Sequence, residues 1–393
     1  MKKSHLLPTY SPLPVTFTHG DGCLLYDENK QEYLDGLGGI AVCALGHKHP
    51  KITQTIQKQA EKLLHTSNLY QIKNSELLAE KLFQLSGMEQ VFMANSGAEA
   101  NECAIKLARL YGHQRQIKAP KILVFETSFH GRTLATLSAT ASQKVRAGFE
   151  PFVQGFIRVP FNNFEAVKHA LTENKDIVAI MLEPIQGEGG IHVPSDDYLQ
   201  SIYQEAQKNN CLLIMDEIQT GMGRTGKFFA YMHANIKPDI VTCAKALGNG
   251  IPIGACLASQ RALGLMHPGM HGSTFGGNPF ATKVALTVLE TLVEENLIQR
   301  AAELGKLIQN TLKEKLKDNP HVKDIRGKGL MLGIELDKPC RDILLVGLKH
   351  RVLFSVTANS VIRLLPPYIL TDEEAHIMIN RLCQTIDAYY GEK

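Results

Sequence analysis

Five short apolar runs, none strictly alternating, dominate the middle of the chain: KILVFET from Lys121, DIVAIMLEP from Asp176, CLLIMDE from Cys211, PDIVTCAKA from Pro238 and IPIGACLAS from Ile251. Continuous apolarity over so few residues reads as strands covered on both faces, and amphipathic stretches lie between several of them. One such stretch, SDDYLQSIYQEAQKNN, offers Ser195 and Asp196 as N-caps and runs directly into CLLIMDE. The alternation predicts an α/β domain with a mostly parallel central sheet over 51–280. A helical pattern follows from Ala281, with Val284, Val288, Leu289 and Leu292 on one face. Beyond it come strand-like GLMLGIEL, helix-like DILLVGLKH, strand-like VLFSV and VIRLLPP, and a last helix opened by Thr371 with Glu374 in a capping box. Strands and helices segregated in this way predict a smaller α+β domain over 281–393. Residues 1–50 are expected as an N-terminal segment packed with that small domain.

Composition narrows the class. A chain of 393 residues with a net charge of +3 and no clustered basic stripe suggests neither nucleic acid nor a membrane surface as partner. Its eight cysteines are scattered, mostly in apolar runs, without a CxxC pair or metal-ligand spacing, so reduced buried thiols, no metal and a cytoplasmic location are expected. The start, MKKSHLLPTYSPLPV, carries two lysines but is interrupted by Pro8, Pro12 and Pro14, which argues against a signal segment. No apolar run approaches transmembrane length.

The chemistry concentrates around one lysine. Between Ile240 and Gln260 the only charged side chain is Lys245. Either its stem covers apolar surface while the ammonium reaches water, or burial lowers its pKa and frees an amine to attack carbonyls. Asp216 ends CLLIMDE at the carboxyl edge of a strand pattern, where open α/β sheets hold ligands, although aspartates there also serve as caps and turns. A carboxylate facing a ring nitrogen and a lysine ready to form a Schiff base are the protein parts of a pyridoxal phosphate site. Asn95-Ser96-Gly97, after strand-like VFM, opens a helix with Ser96 and Glu99 in a capping-box pattern. Such a helix mouth is either simply well capped or an anion site for a phosphate. Phe129 could stack on a flat heterocycle or be ordinary core, and Arg132 could clamp a carboxylate or sit in a surface ion pair. Glu183 ends another strand before three glycines, and Arg363 is a lone charge in an apolar strand. If buried, Arg363 needs a partner, either Glu183 or a substrate carboxylate.

GMGRTG, at Gly221, Gly223 and Gly226, fits the dinucleotide fingerprint G-x-G-x-x-G. The stretch after it, KFFAYMHANIKPD, has no clean helical stripe, and Asp239 begins the next strand instead of ending it. The segment is therefore expected as a ligand-side loop, and a nucleotide-binding dehydrogenase is the disfavoured alternative.

NSGAEANE, FHGRT, EPIQGEGG, DEIQTGMGRTG, AKALGNGIPIGA and HGSTFGGNP occur in the order seen in class III aminotransferases, and the resemblance runs from about Gly20 to the C-terminus. Within that class, EYLDGLGGIAVCALGHKHP and LLHTSNLY resemble the acetylornithine aminotransferases. The resemblance implies the fold-type-I architecture of pyridoxal-phosphate-dependent transferases and a homodimer with shared active sites. It implies that Lys245 carries the cofactor and that Asp216 pairs with its ring nitrogen. Gln219 would bond the ring hydroxyl, with Phe129 and Ile218 on the two ring faces. Ser96, Gly97 and Ala98 would hold the phosphate from one subunit and Thr274 from the other. Arg132 and Ser273 match substrate-binding positions, and Arg363 the arginine that takes a carboxylate. Glu183 resembles the glutamate that neutralises Arg363 when the donor is bound. Many relatives have threonine where Ala98 stands, which removes a hydroxyl from the phosphate. Asn249 replaces a common glycine in a turn that asparagine tolerates.

The implied reaction moves the terminal amine of N2-acetylornithine to 2-oxoglutarate, giving N-acetylglutamate 5-semialdehyde and glutamate, a step of arginine biosynthesis. Ornithine, succinylornithine and 4-aminobutyrate aminotransferases, and an aminomutase, share the same motifs. A protein that binds the cofactor without turnover is the non-enzymatic alternative. With Lys245 as the reactive amine, Lys245→Ala abolishes steady-state transamination; near-normal turnover in that variant refutes the assignment.

Overall fold

In the computed structural model, which describes residues 5–391, the apolar runs assemble into one seven-stranded sheet. Its order is Gln90–Ala94, Gly254–Ala258, Ile240–Cys243, Leu212–Asp216, Ile177–Leu182, Lys121–Phe125 and Phe156–Val159. Every pairing is parallel except that Gly254–Ala258 runs antiparallel to both its neighbours. The strands Ile177–Leu182, Leu212–Asp216, Ile240–Cys243 and Gly254–Ala258 are buried at every position, which explains why their sequences do not alternate. Lys2 and Lys3 of the N-terminal segment lie outside the described residues.

Helix starts follow local chemistry. Ser195 caps Asp196–Lys208 by accepting from the Tyr198 amide at 3.2 Å, so Asp196 is the first helical residue and complements the helix dipole. Asn278 caps Pro279–Glu294, slightly ahead of the expected start, through a 2.8 Å bond from the Ala281 amide. The Thr371–Glu374 box is reciprocal, at 3.1 Å and 2.8 Å.

Three features depart from the sequence reading. A second long helix, Leu297–Leu316, follows Pro279–Glu294, with Leu297, Ala301, Leu304, Ile308 and Leu312 buried. VLFSV is not one strand. Val352–Leu353 pairs in parallel with Glu32–Asp35 of the N-terminal sheet, while Ser355–Thr357 pairs antiparallel with Val361–Leu364. The crossover residue Phe354 is buried, and a Cβ on Gly347 would meet its ring at 2.6 Å. Finally, GMGRTG is a packing joint and not a ligand-side loop. Cβ atoms on Gly223 and Gly226 would meet Ile298 and Ala302 of the unforeseen helix at 2.9 Å and 2.6 Å. Between them Arg224 is wholly buried, donating to the carbonyls of Leu330 and Pro366 and lying over the Tyr368 ring.

The N-terminal strands Phe17–Asp21, Leu24–Asp27 and Glu32–Asp35 form a meander completed by Val352–Leu353. A third sheet, antiparallel throughout, takes the order Val322–Lys328, Met331–Leu336, Val361–Leu364, Ser355–Thr357. Where Leu297–Leu316 crosses this part of the chain, a Cβ on Gly305 would lie 2.2 Å from the Gly329 carbonyl oxygen. Backbone cannot yield as a side chain does. Gly305→Ala is therefore expected to lose about 1–3 kcal/mol despite the helix propensity that alanine adds, read as a lower thermal midpoint.

Candidate active site

Three neighbouring strands deliver the site from the carboxyl edge of the sheet. Asp216 ends Leu212–Asp216, Glu183 follows Ile177–Leu182, and Lys245 stands two residues beyond Ile240–Cys243 in a short turn with φ of +47°. Because these strands are parallel and in adjacent register, their ends open on one crevice. A cavity of about 430 Å³ lies there. It brings together Ser96, Gly97, Ala98, Phe129, Arg132, Glu183, Asp216, Ile218, Gln219 and Lys245 from the residues singled out in sequence. Asn95 and Gly250, from the helix mouth and the turn noted in sequence, also line it, and it adds Val42, His130 and the Ile251–Ile253 segment, which sequence reasoning missed.

Each wall has a local cause. Ser96 accepts from the Glu99 amide at 3.2 Å, but the Glu99 carboxylate reaches past Ser96 to the amide and side chain of Asn95, both at 2.8 Å. The mouth of helix Gly97–Gln114 is thereby set against the cavity, which Asn95, Ser96, Gly97 and Ala98 line. A Cβ on Gly97 would meet the Ile218 side chain at 2.7 Å, so only glycine lets that helix start approach so closely. Asp216 is buried, accepting on Oδ2 from Asn101 at 2.8 Å and His130 at 2.7 Å, and on Oδ1 from the Ile218 amide at 3.2 Å. Arg132 is exposed at the rim, its guanidinium 5.7 Å from the Phe129 ring centre.

Glu183 does not touch Arg363. It accepts from the Phe129 and Gly187 amides at 2.9 Å and 3.1 Å, which pin it at its strand end. The carboxylate on Arg363 is that of Glu188, at 2.5 Å. Gly187 permits this turn of the chain, since a Cβ there would fall 2.3 Å from the Gln219 amide oxygen. Arg363 is also held by Ser355 at 3.1 Å and by Gln219 at 3.2 Å. The spacing E-x4-E in EPIQGEGG was the available signal for Glu188.

Ser273 and Thr274 lie outside the cavity. Ser273 is tied to its mouth through Asn95 at 3.0 Å, whereas Thr274 is exposed. Asn249, at φ +44°, uses its side chain to hold the Leu45 amide at 2.8 Å and the Gly46 carbonyl at 3.2 Å, fastening the segment that carries Val42.

An acceptor-only carboxylate at depth, a lysine amine, an aromatic wall and a helix mouth within one crevice fit pyridoxal phosphate in size and donor set. Comparison with known proteins decides the family. The sequence profile of class III aminotransferases matches residues 7–386. The chain is 48% identical to the acetylornithine aminotransferase of Nitrosomonas europaea over 383 residues, 98% of each protein. The chain belongs to the class III aminotransferases. Among solved structures, it superposes with a TM-score of 0.95 on the ornithine aminotransferase of Toxoplasma gondii, a structure with partial pyridoxal phosphate occupancy at the active site. Identity there is 33%, covering 99% of this chain and 93% of the other. The acetylornithine aminotransferase of Elizabethkingia anophelis gives a TM-score of 0.87 at 34% identity, covering 97% and 96%.

This class III aminotransferase is a pyridoxal-phosphate-dependent transferase of fold type I, acting on amine and keto-acid substrates. Its electrostatics suit carbonyl chemistry. Burial pulls the Lys245 amine down to about 8, and the Arg363 charge adds to this against the upward pull of Glu188, Asp216 and Glu183. Burial likewise pushes the Glu183 carboxyl up to about 7. Glu188 goes the other way. Its burial raises it, but the charge and hydrogen bond of Arg363 outweigh that and hold it below the usual carboxylate range.

A lowered lysine pKa favours the free amine above it, so the reaction of the apoprotein with pyridoxal phosphate is expected to accelerate as pH rises towards about 8 and level off beyond. Stopped-flow absorbance checks this, and a rate still climbing tenfold per pH unit above 9 would mean an ordinary lysine.

Proposed function

We propose that this enzyme transfers the terminal amine of N2-acetylornithine to 2-oxoglutarate, a step of arginine biosynthesis, and that it works as a cytoplasmic homodimer. The observation that carries the reading is the Arg363–Glu188 pair beside Lys245 and Asp216. It is a guanidinium that can exchange an internal carboxylate for one on a substrate. The names of the relatives, acetylornithine aminotransferases at 48% and 46% identity in Nitrosomonas europaea and Aquifex aeolicus, support the donor.

In this reading Lys245 carries the cofactor, and Phe129 and Ile218 flank its ring. Gln219 bonds the ring hydroxyl, and the amides around Ser96, Gly97 and Ala98 hold the phosphate, joined by the partner's Thr274. Pyridoxal phosphate supplies an electron sink for the carbanion at the amine-bearing carbon. The Lys245 amine would take the proton from the amine-bearing carbon of the substrate and return it, as base and then acid. Asp216, which can only accept, keeps the ring nitrogen protonated. Arg132 and Ser273 hold the single carboxylate of N2-acetylornithine while Glu188 neutralises Arg363. When 2-oxoglutarate enters with two carboxylates, Glu188 yields Arg363 to the second of them, a bidentate contact suited to a dicarboxylate.

Two further points support the assembly and the division of the chain. Asn68 bonds the Ser273 carbonyl at 3.0 Å, and His65 lies 5.5 Å from Phe275. The two segments so joined expose Leu64, Leu69, Tyr70 and Phe275, apolar surface consistent with a subunit contact. The cofactor site falls in 51–280, and Arg363 comes from 281–393, with 1–50 packed on the latter through Glu32–Asp35 and Val352–Leu353. No helix among the described residues is long and apolar enough to cross a membrane.

Holoenzyme mixed with single amines is expected to lose the absorbance of its aldehyde-form cofactor fastest with N2-acetylornithine. If ornithine or 4-aminobutyrate reacts faster, the donor assignment fails. Glu188→Gln is expected to slow the N2-acetylornithine half-reaction about tenfold, because an uncompensated Arg363 competes for its carboxylate. The 2-oxoglutarate half-reaction, followed in the same spectrometer, should stay within about threefold of wild type.

A further inference from the structure

We infer that Asn101 is a positioning residue for the Asp216 carboxylate, locked in place by Thr242, and that this lock sets how firmly Asp216 holds the cofactor ring nitrogen protonated. The inference rests on the proposed role of Asp216 and adds to it residues that do not line the cavity.

Asn101 lies in helix Gly97–Gln114, wholly buried, on the face turned to the sheet. Its amide could point either way in a neutral environment, and the orientation decides whether Asp216 meets a donor or a lone pair. Asp216 Oδ2 and the His130 carbonyl, both at 2.8 Å, can only accept, so the nitrogen end faces them and its two hydrogens go to them. That leaves the oxygen end to Thr242, on the strand beside Asp216, whose buried hydroxyl donates to it at 2.7 Å and fixes the amide from behind. All the hydrogen-bonding capacity of the nitrogen end is used.

His130 supplies the second donor. Its Nδ1 sits 2.7 Å from the same Oδ2, and an ionised carboxylate can only accept, so Nδ1 carries the hydrogen. Oδ2 is thus occupied by two donors. Oδ1 receives only the longer 3.2 Å bond from Ile218, which leaves it as the oxygen free to face a ring nitrogen. Two bonds to the charged form stabilise the carboxylate where burial disfavours it. The backbone carbonyl of His130 on the other Asn101 hydrogen ties the imidazole segment and the amide into one unit. An aspartate in place of Asn101 would set carboxylate against carboxylate at 2.8 Å, and the pair would have to hold a proton between them.

The test uses holoenzyme reconstituted with cofactor labelled with 15N in the ring. The ring-nitrogen chemical shift is read by NMR alongside kcat and KM for N2-acetylornithine and the thermal midpoint. Asn101→Ala is expected to move the shift towards that of an unprotonated pyridine and to lower kcat roughly tenfold, as loss of a bond to a charged group predicts, with KM within about twofold. Thr242→Val should move the shift in the same direction by less, while Thr242→Ser, which keeps the hydroxyl, should match wild type. The threonine pair decides the question should Asn101→Ala fail to fold. Asp216→Asn separates the two levels of the inference. If it moves the shift and the Asn101 and Thr242 variants do not, the positioning role is overturned while the reading of Asp216 stands. If Asp216→Asn leaves the shift unchanged, both fall together.

Discussion

The structure depends on keeping a carboxylate charged inside the protein. Asp216 lies at the end of a strand buried on both faces, where an ion is stable only if donors replace the water it has lost. Asn101, His130 and the Ile218 amide are those donors, drawn from a helix, a loop and the residue two places on. The same demand recurs around the cavity. Glu183 is held by two amides, and Arg363 by Glu188, Gln219 and Ser355. Burial outweighs the neighbouring carboxylates at Lys245, which loses affinity for its proton, and outweighs the two amides at Glu183, which gains it.

That division explains how one crevice holds ionised and reactive groups together. Asp216 and Arg363 are held by hydrogen bonds from neighbouring elements, whereas the Lys245 amine feels its charged neighbours only at a distance and is governed by burial. Close approach is what makes the arrangement possible. Gly97 lets the helix start reach Ile218, and Gly187 lets the loop after Glu183 pass Gln219 so that Glu188 arrives at Arg363. In both places a single Cβ would have to displace the side chain it meets, Ile218 or Gln219. Successive side chains also divide the work. Glu217, next to Asp216, turns to the opposite side, where it accepts from Thr220 and the Tyr231 amide and holds the turn beyond it.

Much of this was legible in the chain. The five apolar runs became strands because burial on both faces leaves a trace in composition that needs no partner to be read. Asp216, Lys245 and the Ser96 cap were visible as polar residues at the ends of those runs. The helix Leu297–Leu316 also carried its period, at Leu297, Ala301, Leu304, Ile308 and Leu312, and was overlooked because charged residues fill its other face. GMGRTG was read from its glycines and the residues around them, yet Gly223 and Gly226 face Ile298 and Ala302, residues far along the chain that no local pattern points to. Glu183 and Glu188 were equally available in EPIQGEGG, and the choice between them turned on the path of a glycine-rich loop.

By itself the sequence determined the elements, their burial and the chemical inventory, because periodicity, caps and isolated charges are properties of neighbours along the chain. Tertiary structure alone decided which carboxylate faces Arg363, that VLFSV divides between two sheets, and that Asn101 stands behind Asp216. Each of these turns on a contact between residues remote in sequence, Glu188 with Arg363, Val352 with Leu34 and Asn101 with Asp216, and its geometry exists only once the sheet, the helices and the glycine-bearing loops have closed on one another.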